Sequence, residues 1–312
     1  METVSIGIDL GGTRIKIGLV NFNGILLITK YINAESGLDF GQTLNNLRFT
    51  IDELLGESYH LDGIGIAFPG IVDNFNNKIL SDYVKHPGAS EIDIVAWAKK
   101  NWGVPLILEN DARAALIGEW QYGAGISCDN IVMITLGTGV GSAVLINGQL
   151  LRGKNFLAGN LGGHMSIDYN GAICNCGNIG CVESVASTWA LKDNLKTSNY
   201  YSLSPLSRIN QPDFENIFQY AKAGDPAAID IKEKSLRAWS IGIINLIHAY
   251  DPEKLIIGGG IMKSKEEILP FFKNMIAKHS WIPSGSLSLV TAHQTDAAGI
   301  LGICYLIKNK TN

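Results

Sequence analysis

One imidazole and three thiols fall close together in the chain. His164 is followed by Cys174, Cys176 and Cys181 in a Cys-x-Cys-x4-Cys run, and Glu183 comes two residues later. Glycines 177 and 180 lie between the cysteines and let the backbone fold around a small ion. Zinc takes four soft or borderline ligands in a tetrahedron, and a Cys3His set leaves no place for water. His164, Cys174, Cys176 and Cys181 are therefore expected to hold a structural Zn2+ rather than a catalytic one. The plain alternative is three unrelated core cysteines and a surface histidine. A disulfide is weaker, because three thiols cannot pair off and nothing else points to secretion. The clamp would fix its two ends, His164 and Glu183, side by side on a pocket wall.

Two glycine turns could take phosphate, Asp9-Leu10-Gly11-Gly12-Thr13 and Leu136-Gly137-Thr138-Gly139. Glycine has no Cβ, so an anion can approach the backbone N–H groups, and the threonine hydroxyls add donors. Hairpins also use glycine for purely local reasons. No Gly-x-x-x-x-Gly-Lys-Ser/Thr run is present, and Gly137-x-Gly139-x-Gly141 fails the dinucleotide spacing. Asp111 sits at a strand-to-helix junction, where a helix N-terminus favours the ionised carboxylate. There it could take the proton of a substrate hydroxyl attacking phosphorus. Taken by itself, Asp111 is better explained as a plain helix cap. Asn110 could cap the helix or bond a sugar. Gly258-Gly259-Gly260 could lie flat against a purine ring, or simply turn the chain.

The elements that must position these residues are readable from periodicity. Val4, Ile6 and Ile8 alternate with polar or small residues as a strand does. A second strand spans Ile15–Val20, and an Asn23-Gly24 turn leads to a third near Ile25–Ile28. The pattern repeats later: a strand at Ile131–Thr135, a glycine turn, a strand at Gly141–Ile146 and an Asn147-Gly148 turn. Strands this close must pair as a hairpin, which argues against a Rossmann unit, where a helix must follow the glycines. Between the two blocks come a helix at Asp39–Leu55, an apolar strand at Leu61–Phe68 ending in Pro69-Gly70, and a helix opened by Ser90–Asp93 and closed by Gly103. A strand at Pro105–Leu108 and a helix at Ala112–Tyr122 come next. Later helices are expected at Glu183–Leu195, Asp213–Ala223, Pro226–Tyr250, Lys265–His279 and Ala297–Lys308, with strands at Lys254–Ile257 and Leu287–Val290.

At 312 residues the chain can bury a large core and is expected to form two domains: 1–118 with 297–312, and 119–296 carrying the zinc loop. It is 46% hydrophobic and 17% charged with 35 glycines, as an α/β enzyme rich in tight turns would be. A net charge of −4 gives no electrostatic footprint for nucleic acid. No apolar run is long enough for a membrane span, and the first residues lack a signal peptide's basic and apolar regions. Five cysteines, three of them clustered, fit a reducing, cytoplasmic setting, and Cys128 and Cys304 receive no role.

Taken together, Asp9-Leu-Gly-Gly-Thr13, Glu109-Asn110-Asp111-Ala-Arg-Ala-Ala, Leu136-Gly-Thr-Gly, the His164/Cys174/Cys176/Cys181 set and Gly180-Cys-Val-Glu183 resemble the ROK family of sugar kinases and repressors. The resemblance runs from Ile6 to Gly302. It implies the actin-like, ribonuclease-H-like duplicated α/β fold, two domains around a cleft, and ATP-dependent phosphorylation of a hexose or N-acetylhexosamine. By position it makes Asp111 the catalytic base and Gly70, Asn110, Asp111, His164 and Glu183 sugar ligands. Gly11, Gly12, Thr13, Gly137, Thr138 and Gly139 would face the phosphates, Gly259 and Gly260 the adenosine, and Asp9 would help hold Mg2+. A homodimer is expected on the same ground. Kinases of the family usually carry Glu-x-Gly-His before the metal box. Here that glutamate position holds Leu161, with Asn160 the nearest polar residue, so the sugar contact is altered. Family repressors add a helix-turn-helix before the first glycine motif. Only eight residues precede Asp9, so the expectation is a kinase without DNA binding.

Overall fold

The computed structural model describes residues 1–12, 14–34, 39–81, 85–283 and 285–310. Thr13 of the first glycine turn lies outside them. The chain forms two compact units: Met1–Ser127 with Arg152–Ala158 and His293–Asn312, and Cys128–Leu151 with Gly159–Ala292.

The first unit holds β1 (Glu2–Leu10), β2 (Arg14–Asn21), β3 (Leu26–Asn33), α1 (Phe40–Leu55), β4 (Tyr59–Phe68), a small hairpin of β5 (Val72–Asp73) and β6 (Lys78–Ile79), α2 (Ile94–Trp102), β7 (Leu106–Asn110) and α3 (Asp111–Tyr122). Its sheet runs β3-β2-β1-β4-β7, antiparallel across the first three strands and parallel from β1 to β7. The period-two pattern of β1 explains its place: Ile6, Ile8 and Leu10 are fully buried in one core with Phe40, Leu47 and Ile51 of α1. Each such side chain contributes roughly 1.5–3 kcal/mol. Asp39 and Gln42 form a capping box at the start of α1. The expected start of α2 moves: Asp93 is the cap, and Ser90-Glu91 belong to a separate 3-10 turn.

The second unit holds β8 (Ile131–Leu136), β9 (Val140–Ile146), β10 (Gln149–Leu150), α4 (Val182–Ala186), α5 (Leu191–Lys196), α6 (Phe214–Lys222), α7 (Pro226–Tyr250), β11 (Lys254–Gly258), α8 (Lys265–His279) and β12 (Ser288–Thr291). Its sheet order, β10-β9-β8-β11-β12, repeats that of the first unit strand for strand, with the same directions. The duplication read from the glycine hairpins is thus a duplication of whole sheets. Trp239 of α7 is 1% exposed, packs against Phe214 and Phe272, and donates its indole N–H to Ala186 O at 2.7 Å. The single helix expected over 183–195 is broken between α4 and α5. There Thr188 N–H donates to Gly137 O at 3.1 Å and Trp189 N–H to Thr138 O at 3.2 Å, bonds a continuous helix would have used internally.

The last helix, α9 (Ala298–Lys310), belongs to the first unit and packs on the sheet face opposite α1. It crosses α3 through two glycines. A Cβ on Gly118 would come 2.0 Å from Ala298 O, and one on Gly302 would come 1.8 Å from Ala114 O, so any side chain there forces the helices apart. Among the described residues no helix is long and apolar enough to cross a membrane.

Candidate active site and metal centre

In the first unit the parallel strands end together. Asp9 of β1 is level with Ala67 of β4, and Ala67 with Glu109 of β7. Asp9, Gly70, Asn110 and Asp111 therefore gather at one sheet edge, the carboxyl ends of strands where α/β proteins place ligands. Asn110 is the α3 cap: its Oδ1 accepts from Arg113 N–H at 3.2 Å. Its amide donates to Gly70 O at 3.1 Å and to Asp111 Oδ1 at 3.0 Å. Capping thus falls to Asn110, and the Asp111 carboxylate, bonded otherwise to Ala112 N–H at 2.8 Å, is left for other work.

Asp111 does not behave as its helix N-terminus alone predicts. Burial of its carboxyl, and then the nearby charge of Asp9, push its pKa up to about 7, against the pull of the Ala112 and Asn110 hydrogen bonds. The residue as a whole keeps some solvent exposure, while its carboxyl is shielded. Desolvation and a like charge outweigh the half-charge of the helix end. Lys16 Nζ lies 3.2 Å from Asp9 and 3.3 Å from Asp296, and Lys85 Nζ donates to Gly12 O at 2.7 Å. These two cations ring the first glycine turn.

Behind this edge stands a group to which the sequence alone assigns no role. Glu109 is fully buried. Its Oε2 accepts from Arg152 at 2.6 Å and 3.0 Å, its Oε1 accepts from Asn110 N–H at 2.9 Å, and Arg113 lies 3.8 Å away. Arg113 in turn donates to Phe156 O at 3.1 Å and Ala158 O at 2.7 Å. The segment 152–158 is thereby pinned to the strand end that presents Asn110 and Asp111. Arg152 is 43 positions from Glu109, so no spacing signal could have announced the pair.

In the second unit the expected ligand set comes together. One donor atom from each of His164, Cys174, Cys176 and Cys181 lies within 4.8 Å of the others. Cys174 Sγ is 3.6 Å from His164 Nδ1 and Cys176 Sγ is 3.7 Å from Cys181 Sγ. A tetrahedron with Zn–S of about 2.3 Å and Zn–N of about 2.0–2.1 Å has S···S and S···N edges of about 3.8 Å and 3.6 Å. No two of these thiols are joined. The loop's glycines are demanded by its path: Gly177 and Gly180 have φ of +88° and +64°, and a Cβ on Gly180 would meet Asp168 O at 1.7 Å. The residues present fit a structural zinc ion.

The second glycine turn, Gly137–Gly139, lies against the end of this loop. Glu183 faces the turn: its Oε2 accepts from Val140 N–H at 2.7 Å and its Oε1 from Trp189 Nε1–H at 3.0 Å. Gly259, at φ +93°, passes Leu136 so closely that a Cβ would lie 2.2 Å from its carbonyl oxygen. Thus Gly137, Thr138, Gly139, Glu183 and Gly259 are neighbours, Gly260 is next in the chain, and His164 belongs to the metal set. Where the family resemblance expects a glutamate, Leu161 is exposed, and the neighbouring Asn160 Oδ1 is buried with no hydrogen-bond partner among the described residues.

The ROK family model matches residues 5–310. A glucokinase of Thermotoga maritima is 33% identical over 98% of this chain and 97% of its own length. A xylose repressor of Bacillus subtilis is 28% identical over 97% of this chain and 76% of its own length. The solved structure of a ROK family glucokinase from Streptomyces griseus, in complex with glucose and AMPPNP, is 27% identical with a TM-score of 0.79, covering 97% of this chain and 98% of that one.

Proposed function

The chain belongs to the ROK family, with its actin-like duplicated α/β fold, and from that premise we propose that it is an ATP-dependent kinase of a hexose or N-acetylhexosamine. The observation that carries the reading is Asp111: a carboxyl at the carboxyl edge of a parallel sheet, freed from capping by Asn110, with a pKa of about 7. A base is most effective when its pKa lies near the working pH. Asp111 takes the proton of the attacking sugar hydroxyl while that oxygen bonds to the γ-phosphorus and the bond to ADP breaks. Asn110 fixes the carboxylate's direction through its amide, and Gly70 is held by the same amide. Lys16 and Lys85, beside Asp9 and Gly12 of the first glycine turn, would offset the negative charge of the phosphates. Asp9 would help hold Mg2+, whose contribution is to neutralise the phosphates. The two glycine turns would bind those phosphates, and Gly259 and Gly260 the adenosine. His164 and Glu183 remain the proposed sugar ligands of the second unit, alongside a structural zinc ion in the Cys3His set.

The xylose repressor relative supports a second reading, a sugar-responsive regulator that binds sugar without turnover. An ADP-release assay over hexoses, hexosamines and N-acetylhexosamines separates the two. The kinase reading expects turnover with at least one sugar. No ADP above the sugar-free background, with sugar binding retained, would reject it.

A further inference from the structure

We infer that Glu183 is a positioning residue for the second glycine turn, through which the metal loop sets nucleotide affinity. The inference rests on the kinase reading and adds to Glu183 a task other than touching sugar. Its carboxylate is held at both oxygens, by Val140 N–H at 2.7 Å and by Trp189 Nε1–H at 3.0 Å. The turn leaves room for it: a Cβ on Gly139 would lie 2.6 Å from Glu183 Oε2. The same stretch of chain grips the turn from its carbonyl side. Thr188 donates to Gly137 O through both N–H and hydroxyl, at 3.1 Å and 3.0 Å, and Trp189 N–H donates to Thr138 O at 3.2 Å.

Residues 183–189 thus take two carbonyls of the turn and the first N–H of β9, and they break a helix to do so. Their start is fixed by Cys181, which caps α4 and lies 3.7 Å from Cys176 Sγ in the metal set. Ordering the loop around a metal orders α4, and α4 carries Glu183 to the turn. A backbone cradle for phosphate works only if its donors are already aimed, so bracing the turn raises affinity by lowering the ordering cost.

The test measures binding of ADP with Mg2+ to the full zinc-loaded chain by calorimetry, without sugar. Glu183→Gln is isosteric but sets an NH2 against one of two N–H donors. It should weaken ADP binding about tenfold or more and raise KM for ATP more than KM for sugar. If the carboxylate merely repelled phosphate, removing its charge would tighten binding, so the sign of the effect decides. A second variant, Trp189→Phe, removes one donor only and should weaken ADP binding severalfold with zinc content unchanged. Chelation should weaken ADP binding as Glu183→Gln does, and added Zn2+ should restore it. Wild-type binding of ADP with unchanged or tighter binding by both variants overturns the inference alone. No ADP binding by the wild type overturns the kinase reading together with it.

Discussion

The turn after β1 and the turn after β8 close hairpins of one topology, yet they are furnished in opposite ways. The first is ringed by charge: Asp9 paired with Lys16, Lys85 on Gly12 O, and Asp111 near Asp9 at the same strand edge. The second is braced by backbone bonds from Thr188 and Trp189 and by Glu183. The difference traces to the segments that come after each hairpin. In the first unit the parallel strands β4 and β7 bring Gly70, Asn110 and Asp111 level with Asp9. In the second the chain inserts the Cys/His loop and α4 before β11. Duplication supplies two bends; later chain decides that one is surrounded by charged side chains and the other by backbone hydrogen bonds.

That contrast is open to attack from the first unit. The largest effect is expected of Asp111→Asn, which should lower kcat about 10³-fold while sugar and nucleotide binding persist, as steady-state kinetics and calorimetry would read. Full turnover would remove the base from its role. Next, Glu109→Gln leaves Arg113 and Arg152 without their counter-charge and should cost about 3 kcal/mol in denaturant unfolding, with zinc content unchanged. A loss of zinc in that variant would show that the two regions are not independent.

A third expectation concerns sign. The Asp111 pKa is raised in the folded protein, so folding binds protons between about pH 4 and pH 7, and stability falls as pH rises through that window. Asp111→Asn should therefore stabilise the protein at pH 8 by about 1–3 kcal/mol and give little gain at pH 4, read as urea midpoints at the two pH values. In the wild type, kcat/KM should fall as pH drops below about 7, because the base is then protonated. The smallest effect should come from Gly139→Ala in the second unit. Its methyl would sit 2.6 Å from Glu183 Oε2, a carboxylate already held by Val140 and Trp189, so that brace must shift and stability should fall by about 1 kcal/mol in denaturant unfolding.

Much of this is legible in the sequence where the signal is local. The glycine hairpins and the Cys-x-Cys-x4-Cys run declare themselves within a few residues, and the 25-residue α7 matches its expected ends at Pro226 and Tyr250. The features that escape depend on distant partners. Nothing in the helical pattern of 183–195 reveals that Thr188 and Trp189 will spend their donors on a turn 51 residues earlier. The proton affinity of Asp111 departs from the helix-end expectation because Asp9, distant in the chain, reaches it only through the register of three strands. Glu109 is visible in its run with Asn110 and Asp111, but its buried pairing with Arg152 is not.

The close crossing of α3 and α9 through Gly118 and Gly302 also governs how the protein can be made. The sheet edge bearing Asp9 and Asp111 is backed by residues 298–310, and Gly299 itself lies against the Asp9 carboxyl. Those residues leave the ribosome later than every strand of the second unit. The first unit, begun earlier, is therefore completed last. A chain stalled or clipped before residue 298 would keep the Cys/His loop yet bare the apolar underside of the first sheet, a lesion that chaperones and proteases would meet first.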